Sequence, residues 1–597
     1  MFDPILVTYI VLITAVVLLL TDRFRADWIA LFSMLILGLT GVLTPQETFS
    51  GLSRSAVITV LAIFILAEGL RRTGVTNRVG NVLARISGSN ETRLSVYSML
   101  SGAFLSLFMN NIAAASVLLP AVTSAARKAR ANPARLLMPL AFSTLLGGMA
   151  TLFTTTNIIV NGILRENDLP GFGILDFAPL GLPVVLVGVA YLAGVGLWLL
   201  PMRQPSLTTP VTSLMDIYRL AERFVRCRIV PGSRLIGLTL AESNLRQDFN
   251  LNLVSIERNG DLIPFPVPTT TFQPGDILLL EGRMRQIIHK DYRDLFEIIG
   301  PPKRQDDFLN DSDILMVEAL LAPRSSLIGK TLRDAQFRAK YNLNVVGIYR
   351  TGRPMRTGLS DLTLQFGDAL LLHGPRRQVQ LLSTEPDLIV LGSDMRGDPP
   401  NPGKSRHALI IMVGTLLVGL FPVFSIAEVM LGGALVMIAT RVLSMDQAYQ
   451  SIEWRTVFLI AGMLPLGTAL SKTGIASNLA NAMVSLIGQA GPYALLAGIL
   501  LITILLSQVM HSGVVATIIA PIAIEIALHS GFDPRSMSMG VALATSMTFL
   551  TPLGHPVNML VMSPGGYRFM DYMRVGLPLT ILIFSIIMIL MPLVWPL

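Results

Sequence analysis

The stretch Ser106-Leu-Phe-Met-Asn-Asn-Ile-Ala-Ala-Ala-Ser-Val-Leu-Leu-Pro120 has a counterpart in Ser507-Gln-Val-Met-His-Ser-Gly-Val-Val-Ala-Thr-Ile-Ile-Ala-Pro521, 401 residues further along the chain. The same shift carries Asn157 onto Asn558, and a shift of 400 carries Thr73-Gly74 onto Thr473-Gly474. In both places a short polar tip, Met109-Asn110-Asn111 or Met510-His511-Ser512, interrupts apolar sequence at the same depth of the same pattern. Matching interruptions in two hydrophobic halves point to a carrier built from two repeats, with its binding site between them.

Composition agrees with a chain that faces lipid. The 597 residues are 52% hydrophobic and only 14% charged, with mean hydropathy +0.62, where a soluble protein carries roughly 25% charged residues. The net charge is +8 and the pI is near 9.7. Because the arginines punctuate apolar spans, they read as membrane loops, and no nucleic-acid partner is expected. Cys227 is the only cysteine, which excludes an internal disulfide framework and a cysteine-based metal cluster. The start, Met1-Phe2-Asp3-Pro4, lacks the basic region of a cleaved signal and runs straight into apolar sequence, so a retained helix is expected there.

A membrane span needs roughly 20 apolar residues, and fewer where helices are broken. Candidates lie at 4–20, 28–43, 56–70, 137–164 and 179–200, then at 407–423, 428–443, 456–470, 538–562 and 576–596. Segments 94–126 and 491–527 are too long for one helix and too interrupted for two. They read as re-entrant hairpins whose polar tips lie at mid-membrane. Arg71, Arg72, Arg78, Arg85 and Arg93 precede the first hairpin, and Arg127, Lys128, Arg130 and Arg135 follow it. It should therefore open from the cytoplasm, and the second, flanked by little beyond Lys472 and Arg535, from outside. Five full spans per half make the repeats inverted. Glu68 reads as an interfacial carboxylate paired with Arg71 or Arg72. Glu525 holds a similar place in the second hairpin, and Met109 and Met510 read as packing.

Between the halves, from about Met202 to Lys404, the sequence turns charged and Pro/Gly-punctuated, with an internal repeat at a shift of 92. Leu235-Ile236-Gly237 matches Leu327-Ile328-Gly329, Asn250-Leu251-Asn252 matches Asn342-Leu343-Asn344, and Gly275-Asp276 matches Gly367-Asp368. Each unit predicts a short helix near 240–248 or 332–340 and then strands, with Asn259-Gly260 as a hairpin turn. Through the Leu-Ile-Gly-x-Thr-Leu opening and the Gly-Asp closing strand, the units resemble the RCK C-terminal (TrkA-C) domain over roughly 225–290 and 315–385. The resemblance implies small α+β modules that pair with their own kind and sometimes bind a small regulatory ligand. No G-x-G-x-x-G element precedes either unit, so no nucleotide-binding half is expected. The organisation is thus a first membrane half over 1–201, cytoplasmic modules over 202–300 and 301–404, and a second membrane half over 405–597.

In hydrocarbon a run such as Thr151-Leu-Phe-Thr-Thr-Thr-Asn157 must face protein or water. Its partner, Thr551-Pro-Leu-Gly-His-Pro-Val-Asn558, makes helix unwinding explicit through Pro and Gly. Unwinding frees carbonyls for a cation, and the new helix N-termini present N–H groups to an anion. At this point the membrane halves, roughly 1–200 and 405–597, resemble the divalent anion/sodium symporter family of the ion-transporter superfamily. That family carries a Ser-Asn-Thr hairpin tip ten residues before a proline. Here those positions hold Asn110-Asn111-Ile112 and His511-Ser512-Gly513, so only Asn111 matches. The family's second element, a Thr-Pro-Pro-Asn-like break, is kept at Asn157 and at Pro556-Val557-Asn558.

Carried over by position, the resemblance implies one Na⁺ site of Ser106, Asn111, Thr154 and Asn157, and another of Ser507, Ser512, Gly554 and Asn558. It implies a substrate site of Asn110, Asn111, Thr155, Thr156, His511, Ser512, Gly513, His555 and Pro556. The lost tip hydroxyls argue against the usual dicarboxylate specificity and weaken the second Na⁺ site. No organic cofactor and no enzymatic activity are implied. The expectation is a polytopic α-helical carrier in the inner (plasma) membrane, a homodimer taking up a small divalent oxyanion, sulfate, with Na⁺. A dicarboxylate or other anion and H⁺ coupling stay open as alternatives. An RCK-gated channel lacks its Thr-Val-Gly-Tyr-Gly filter, and a non-transporting nutrient sensor is the remaining rival. The site is expected to hold its anion without intramembrane arginine or lysine.

Overall fold

The computed structural model describes residues 3–21, 24–75, 90–129, 131–200, 224–245, 251–258, 261–264, 266, 269–281, 294–300, 314–322, 325–350, 353–355, 358–382, 385, 387–391, 401–421, 423–488 and 491–595. Two compact units result, one of 1–205 with 398–597 and one of 206–397. Arg78, Arg85, Arg130 and the Asn259-Gly260 turn lie outside the described residues.

The first unit is helical. Its helices are α1 (Pro4–Thr21), α2 (Ala26–Leu39), α3 (Pro45–Ser53), α4 (Ser55–Arg72), α5 (Glu91–Ser106), α6 (Asn111–Ala129), α7 (Leu137–Gly148), α8 (Thr155–Glu166) and α9 (Ala178–Tyr191). They continue as α10 (Ser405–Gly419), α11 (Ile426–Ala439), α12 (Met445–Ser451), α13 (Trp454–Lys472), α14 (Ile475–Ile487), α15 (Pro492–Ser507), α16 (Ser512–Ser530), α17 (Pro534–Thr545), α18 (Pro556–Gly565) and α19 (Phe569–Val594). Among the described residues five helical stretches are long and apolar enough to cross a membrane, one of them running Pro45–Arg72 through α3 and α4.

The two expected hairpins are helix pairs, α5–α6 and α15–α16, and each broken span is a helix pair too, α7–α8 and α17–α18. Elements recur at nearly constant separation: α5 and α15, then α6 and α16, begin 401 residues apart, and α2 and α11 begin 400 apart. Local chemistry recurs with them. Thr44 and Glu47 form a capping box at the start of α3, and Ser444 and Gln447 form one at the start of α12, each satisfying two otherwise orphaned backbone N–H groups.

Burial separates the broken helices from the outer ones. Every residue of α7 is buried, whereas Leu6, Ile10 and Ile13 of α1, Ile410 of α10 and Ile589 of α19 are exposed. Large apolar side chains turned outward on whole helices suit a lipid surround. The two halves interlock in the core. Tyr567 donates its hydroxyl to the Ala134 carbonyl at 2.6 Å and accepts from the Met138 N–H at 2.8 Å. Phe142 packs edge-on against Phe549. Glu68 receives both Arg71 and Arg72, and Glu525 lies 3.5 Å from His529.

The second unit holds two five-stranded antiparallel sheets. Strands β1 (Phe224–Ile229), β2 (Asn252–Arg258), β3 (Asp261–Pro264), β4 (Ile277–Glu281) and β5 (Phe296–Gly300) take the order β3-β2-β4-β1-β5. Strands β6 (Ile314–Leu321), β7 (Asn344–Arg350), β8 (Arg353–Met355), β9 (Ala369–Pro375) and β10 (Leu388–Leu391) take the same order from the other edge, β10-β6-β9-β7-β8. Register shifts fall between Leu253 and Ser255 and between Val345 and Gly347, 92 residues apart. Arg258 grips Asp276 and the Thr271 carbonyl, and Arg350 grips Asp368 and the Thr363 carbonyl in the same way. The helix expected near 332–340 is confined to Phe337–Tyr341. The described part of the one near 240–248 is mostly turn. Thr331 with Asp334, and Thr239 with Glu242, bond side chain to side chain and to backbone, and such local bonds compete with the helix.

Candidate functional site

Four helices begin inside the core at the interruptions. The tips 107–110 and 508–511 lead into α6 and α16, and the breaks 149–154 and 546–555 lead into α8 and α18. Side chains make those starts. Asn110 Oδ1 accepts from the Ile112 N–H at 2.8 Å, and His511 Nδ1 accepts from the Gly513 N–H at 3.2 Å. His555 Nδ1 accepts from the Val557 N–H at 3.2 Å. Pro556, at the first position of α18, has no N–H to leave unpaired.

Each break is tied to its tip by one threonine. The Thr151 hydroxyl donates to the Leu107 carbonyl at 3.1 Å and accepts from the Phe153 N–H. The Thr551 hydroxyl donates to the Gln508 carbonyl at 2.7 Å and accepts from the Gly554 N–H. Asn157 then donates to the Gly148 and Thr151 carbonyls at 3.3 and 2.7 Å, and Asn558 to those of Thr548 and Thr551 at 2.7 and 3.1 Å. Both amide oxygens, Asn157 Oδ1 and Asn558 Oδ1, are buried and meet no donor among the described residues.

Around Asn157 the groups at hand are oxygens. Ser106 donates to Asn111 Oδ1, and the Thr154 hydroxyl donates to the Gly148 carbonyl at 2.6 Å. A Cβ on Gly148 would come within 2.7 Å of Asn111 Oδ1 and 3.0 Å of Thr154 Oγ1, so the oxygens close on a bare backbone. Released carbonyls with hydroxyl and amide oxygens suit a hard monovalent cation. In the second half Ser512 stands where Asn111 stands in the first, and the buried Ser507 Oγ has no partner among the described residues. Gly554 packs on Ser507 and Thr548, and Thr548 Oγ1 is also buried with no partner among the described residues. Sequence reasoning missed Thr548, although a shift of 400 puts it on Gly148.

Tips and breaks meet at one cavity of about 330 Å³. Asn110, Asn111, Thr154, Thr155, Thr156, His511, Ser512, His555 and Pro556 line it. Gly513 does not, and its N–H is taken by the His511 ring. Ser106, Asn157, Ser507, Gly554 and Asn558 are not among the lining residues, and all five are buried. The N-termini of α2, α6, α8, α13, α16 and α18 all border the cavity. Their positive dipole ends favour an anion. At α8 this end is left open, because Thr154 spends its hydroxyl on Gly148 instead of capping the helix.

Charged side chains also reach the cavity. Arg25, Asp27, Glu453 and Arg455 line it at the starts of α2 and α13, which corrects the expectation of a site free of arginine. In the sequence they stand at the heads of apolar runs, where charge reads as a membrane flank. By contrast, the starts of α4 and α11 border a space of about 20 Å³, with Ser55, Ala56, Arg165, Ser425 and Ala427 in its wall, and Ser55 and Arg165 also line a neighbouring space of about 460 Å³. Nearby, Arg54 meets Glu166 of α8 at 3.0 Å.

Comparison with known proteins agrees with this geometry. The family model described as citrate transporter matches residues 16–531 and 486–596. A protein of Escherichia coli (strain K12) named uncharacterized transporter YfbS is 32% identical, over 98% of this chain and 98% of its own. Sodium/sulfate cotransporter 2 of Chlamydomonas reinhardtii is 22% identical, over 93% of this chain and 86% of its own. The sodium-dependent dicarboxylate transporter SdcS of Staphylococcus aureus (strain USA300) is 26% identical over a shorter region, 27% of this chain and 34% of its own.

Proposed function

Since this chain belongs to the citrate transporter family and is an integral membrane transporter, we propose that it is a secondary active carrier of a small divalent oxyanion, sulfate, driven by Na⁺. The convergence of six helix N-termini on one 330 Å³ cavity carries this reading. A tetrahedral oxyanion offers acceptors in every direction, and N–H groups with the hydroxyls of Thr155, Thr156 and Ser512 are donors. Relatedness supports sulfate over dicarboxylate. The sodium/sulfate relative aligns along nearly all of this chain, whereas the dicarboxylate relative aligns with about a quarter of it.

Na⁺ is cargo. One ion is assigned to the oxygens around Ser106, Asn111, Thr154 and Asn157. A second is assigned to Ser507, Ser512, Gly554, Asn558 and the neighbouring Thr548. Each set includes an asparagine oxygen that a cation would satisfy. The halves 1–201 and 405–597 act as inverted repeats, and hairpins with broken helices move as a body against the rest in alternating access. The loop arginines put the open end of the cavity on the cytoplasmic side. The modules at 202–300 and 301–404 are read as a cytoplasmic RCK-C-like pair that joins two protomers or binds a small ligand.

Uptake of radiolabelled sulfate into proteoliposomes tests the reading, with and without an inward Na⁺ gradient and with succinate, citrate and other anions as competitors. Sulfate should accumulate above equilibrium with Na⁺ and only equilibrate without it. Accumulation of a dicarboxylate with sulfate inert would move the substrate to that class. Full-rate accumulation in the absence of Na⁺ would remove the coupling assignment.

A further inference from the structure

Arg455 is the second residue of α13, is exposed, and borders the central cavity. Its neighbours at the mouth are committed elsewhere. Arg25 is held by Asp27, with Nε to Oδ1 at 3.1 Å and Nη2 to Oδ2 at 2.5 Å, and Glu453 is engaged by other groups. Arg455 has no carboxylate partner among the described residues. Across the same cavity Thr156 is 2% exposed, and its Oγ1 meets no partner among the described residues. A guanidinium and an idle hydroxyl therefore border one space.

The four charged positions at this end are not repeated at their counterparts. A shift of 400 carries Arg25 and Asp27 onto Ser425 and Ala427, and brings Glu453 and Arg455 back onto Ser53 and Ser55. Ser425, Ala427 and Ser55 wall the 20 Å³ space at the starts of α4 and α11. A charge needed to start these helices would be needed at both ends, since the helices themselves recur. The charge at Arg25, Asp27, Glu453 and Arg455 therefore belongs to the α2/α13 face itself, and the other end carries a different cation, Arg165, in the wall of its space.

We propose that Arg455 is the ionic substrate contact of this carrier when its site faces the α2/α13 end. The inference rests on the anion-carrier reading above and adds to it a binding residue that belongs to one face. A guanidinium presents paired N–H donors that match two oxygens of a sulfate. Glu453 nearby limits the field, so the anion is held without being trapped.

The test is sulfate flux through the full chain in proteoliposomes, with KM measured separately for entry from each face. Arg455→Gln should raise KM on the α2/α13 face about tenfold, the size of one charge-assisted hydrogen bond at a wet site, and leave KM on the other face unchanged. Arg455→Lys should fall between Gln and wild type on that face. An equal rise on both faces, or no rise on either, overturns the proposal. Should Arg455→Gln not fold, Arg455→Lys still decides it, because a KM equal to that of the wild type on the α2/α13 face contradicts the inference. Absence of any sulfate flux in the wild type overturns the sulfate reading on which it rests.

Discussion

Asn157 and Asn558 each give their amide N–H groups to two carbonyls of a broken helix and keep a buried oxygen that meets no donor among the described residues. In a membrane interior an unsatisfied polar group costs several kcal/mol, so two at matching positions call for a ligand that supplies positive charge. Asn157→Ala and Asn558→Ala should each cut Na⁺-driven sulfate uptake by at least about tenfold while losing about 1–3 kcal/mol of stability. Initial rates against Na⁺ concentration, with a melting curve on the same sample, check this. Wild-type uptake in both variants would falsify the cation assignment. These asparagines were legible in the sequence because each follows a helix break and the breaks recur. Thr548 and the Gly148 carbonyl were not, since a backbone ligand has no residue signature. Arg455 was not legible for a different reason: an arginine heading an apolar helix looks the same whether it faces headgroups or a cavity.

At the level of elements, the hairpins could be read from length alone, because 33- and 37-residue apolar segments with polar centres, 94–126 and 491–527, fit neither one span nor two. Helix α3 was not legible. Pro45-Gln-Glu-Thr-Phe-Ser-Gly-Leu-Ser53 is too polar to register as a span, yet it runs on into α4. Strands 252–258 and 277–281 followed from alternation and turn residues, while the short helices of those modules lost to side-chain turns. Strand β9 carries a pH response. Burial pushes the His373 imidazole down from 6.5 to about 4, whereas in the unfolded chain it titrates near 6.5. The unfolded state therefore takes up the proton first as pH falls. Stability of about 3 kcal/mol tied to the neutral ring is fully present above pH 6.5 and is lost between 6.5 and 4. The carboxyl of Asp387 is held low by the Ser326 N–H and Lys340 against its burial, so its loss belongs to a more acid range. Amide exchange over Ala369–Pro375, corrected for intrinsic rates, should accelerate from pH 7 to pH 4.5, and His373→Gln should flatten that change. Equal protection at both pH values would remove His373 from this role.

The whole membrane unit presents two unequal ends to the same site. About 330 Å³ lies open at the starts of α2 and α13, whereas at the starts of α4 and α11 about 20 Å³ lies between the two helices, beside a space of about 460 Å³ lined by Arg54, Ser55 and Arg165. A carrier with a single central site must exchange these two conditions during turnover, and the equivalent helix starts supply matched reporters. Thr456 borders the large cavity, while its counterpart 400 residues earlier, Ala56, is 2% exposed in the wall of the small one. The chemistry of labelling is clean, because the only native cysteine, Cys227, is buried and its thiol is pushed up to about 12, which leaves almost no thiolate to react at neutral pH. In sealed vesicles, Thr456→Cys should therefore react quickly with a membrane-impermeant maleimide added on one side, and Ala56→Cys slowly from either. During Na⁺-driven sulfate turnover the reaction of Ala56→Cys should speed up from the opposite side, and that of Thr456→Cys should slow, because each molecule that opens one end closes the other. Labelling of both variants from the same side, or rates indifferent to substrate, would leave a fixed cavity in place of an exchanging one. In that case the match between the two ends would reflect shared ancestry of the halves without a shared motion.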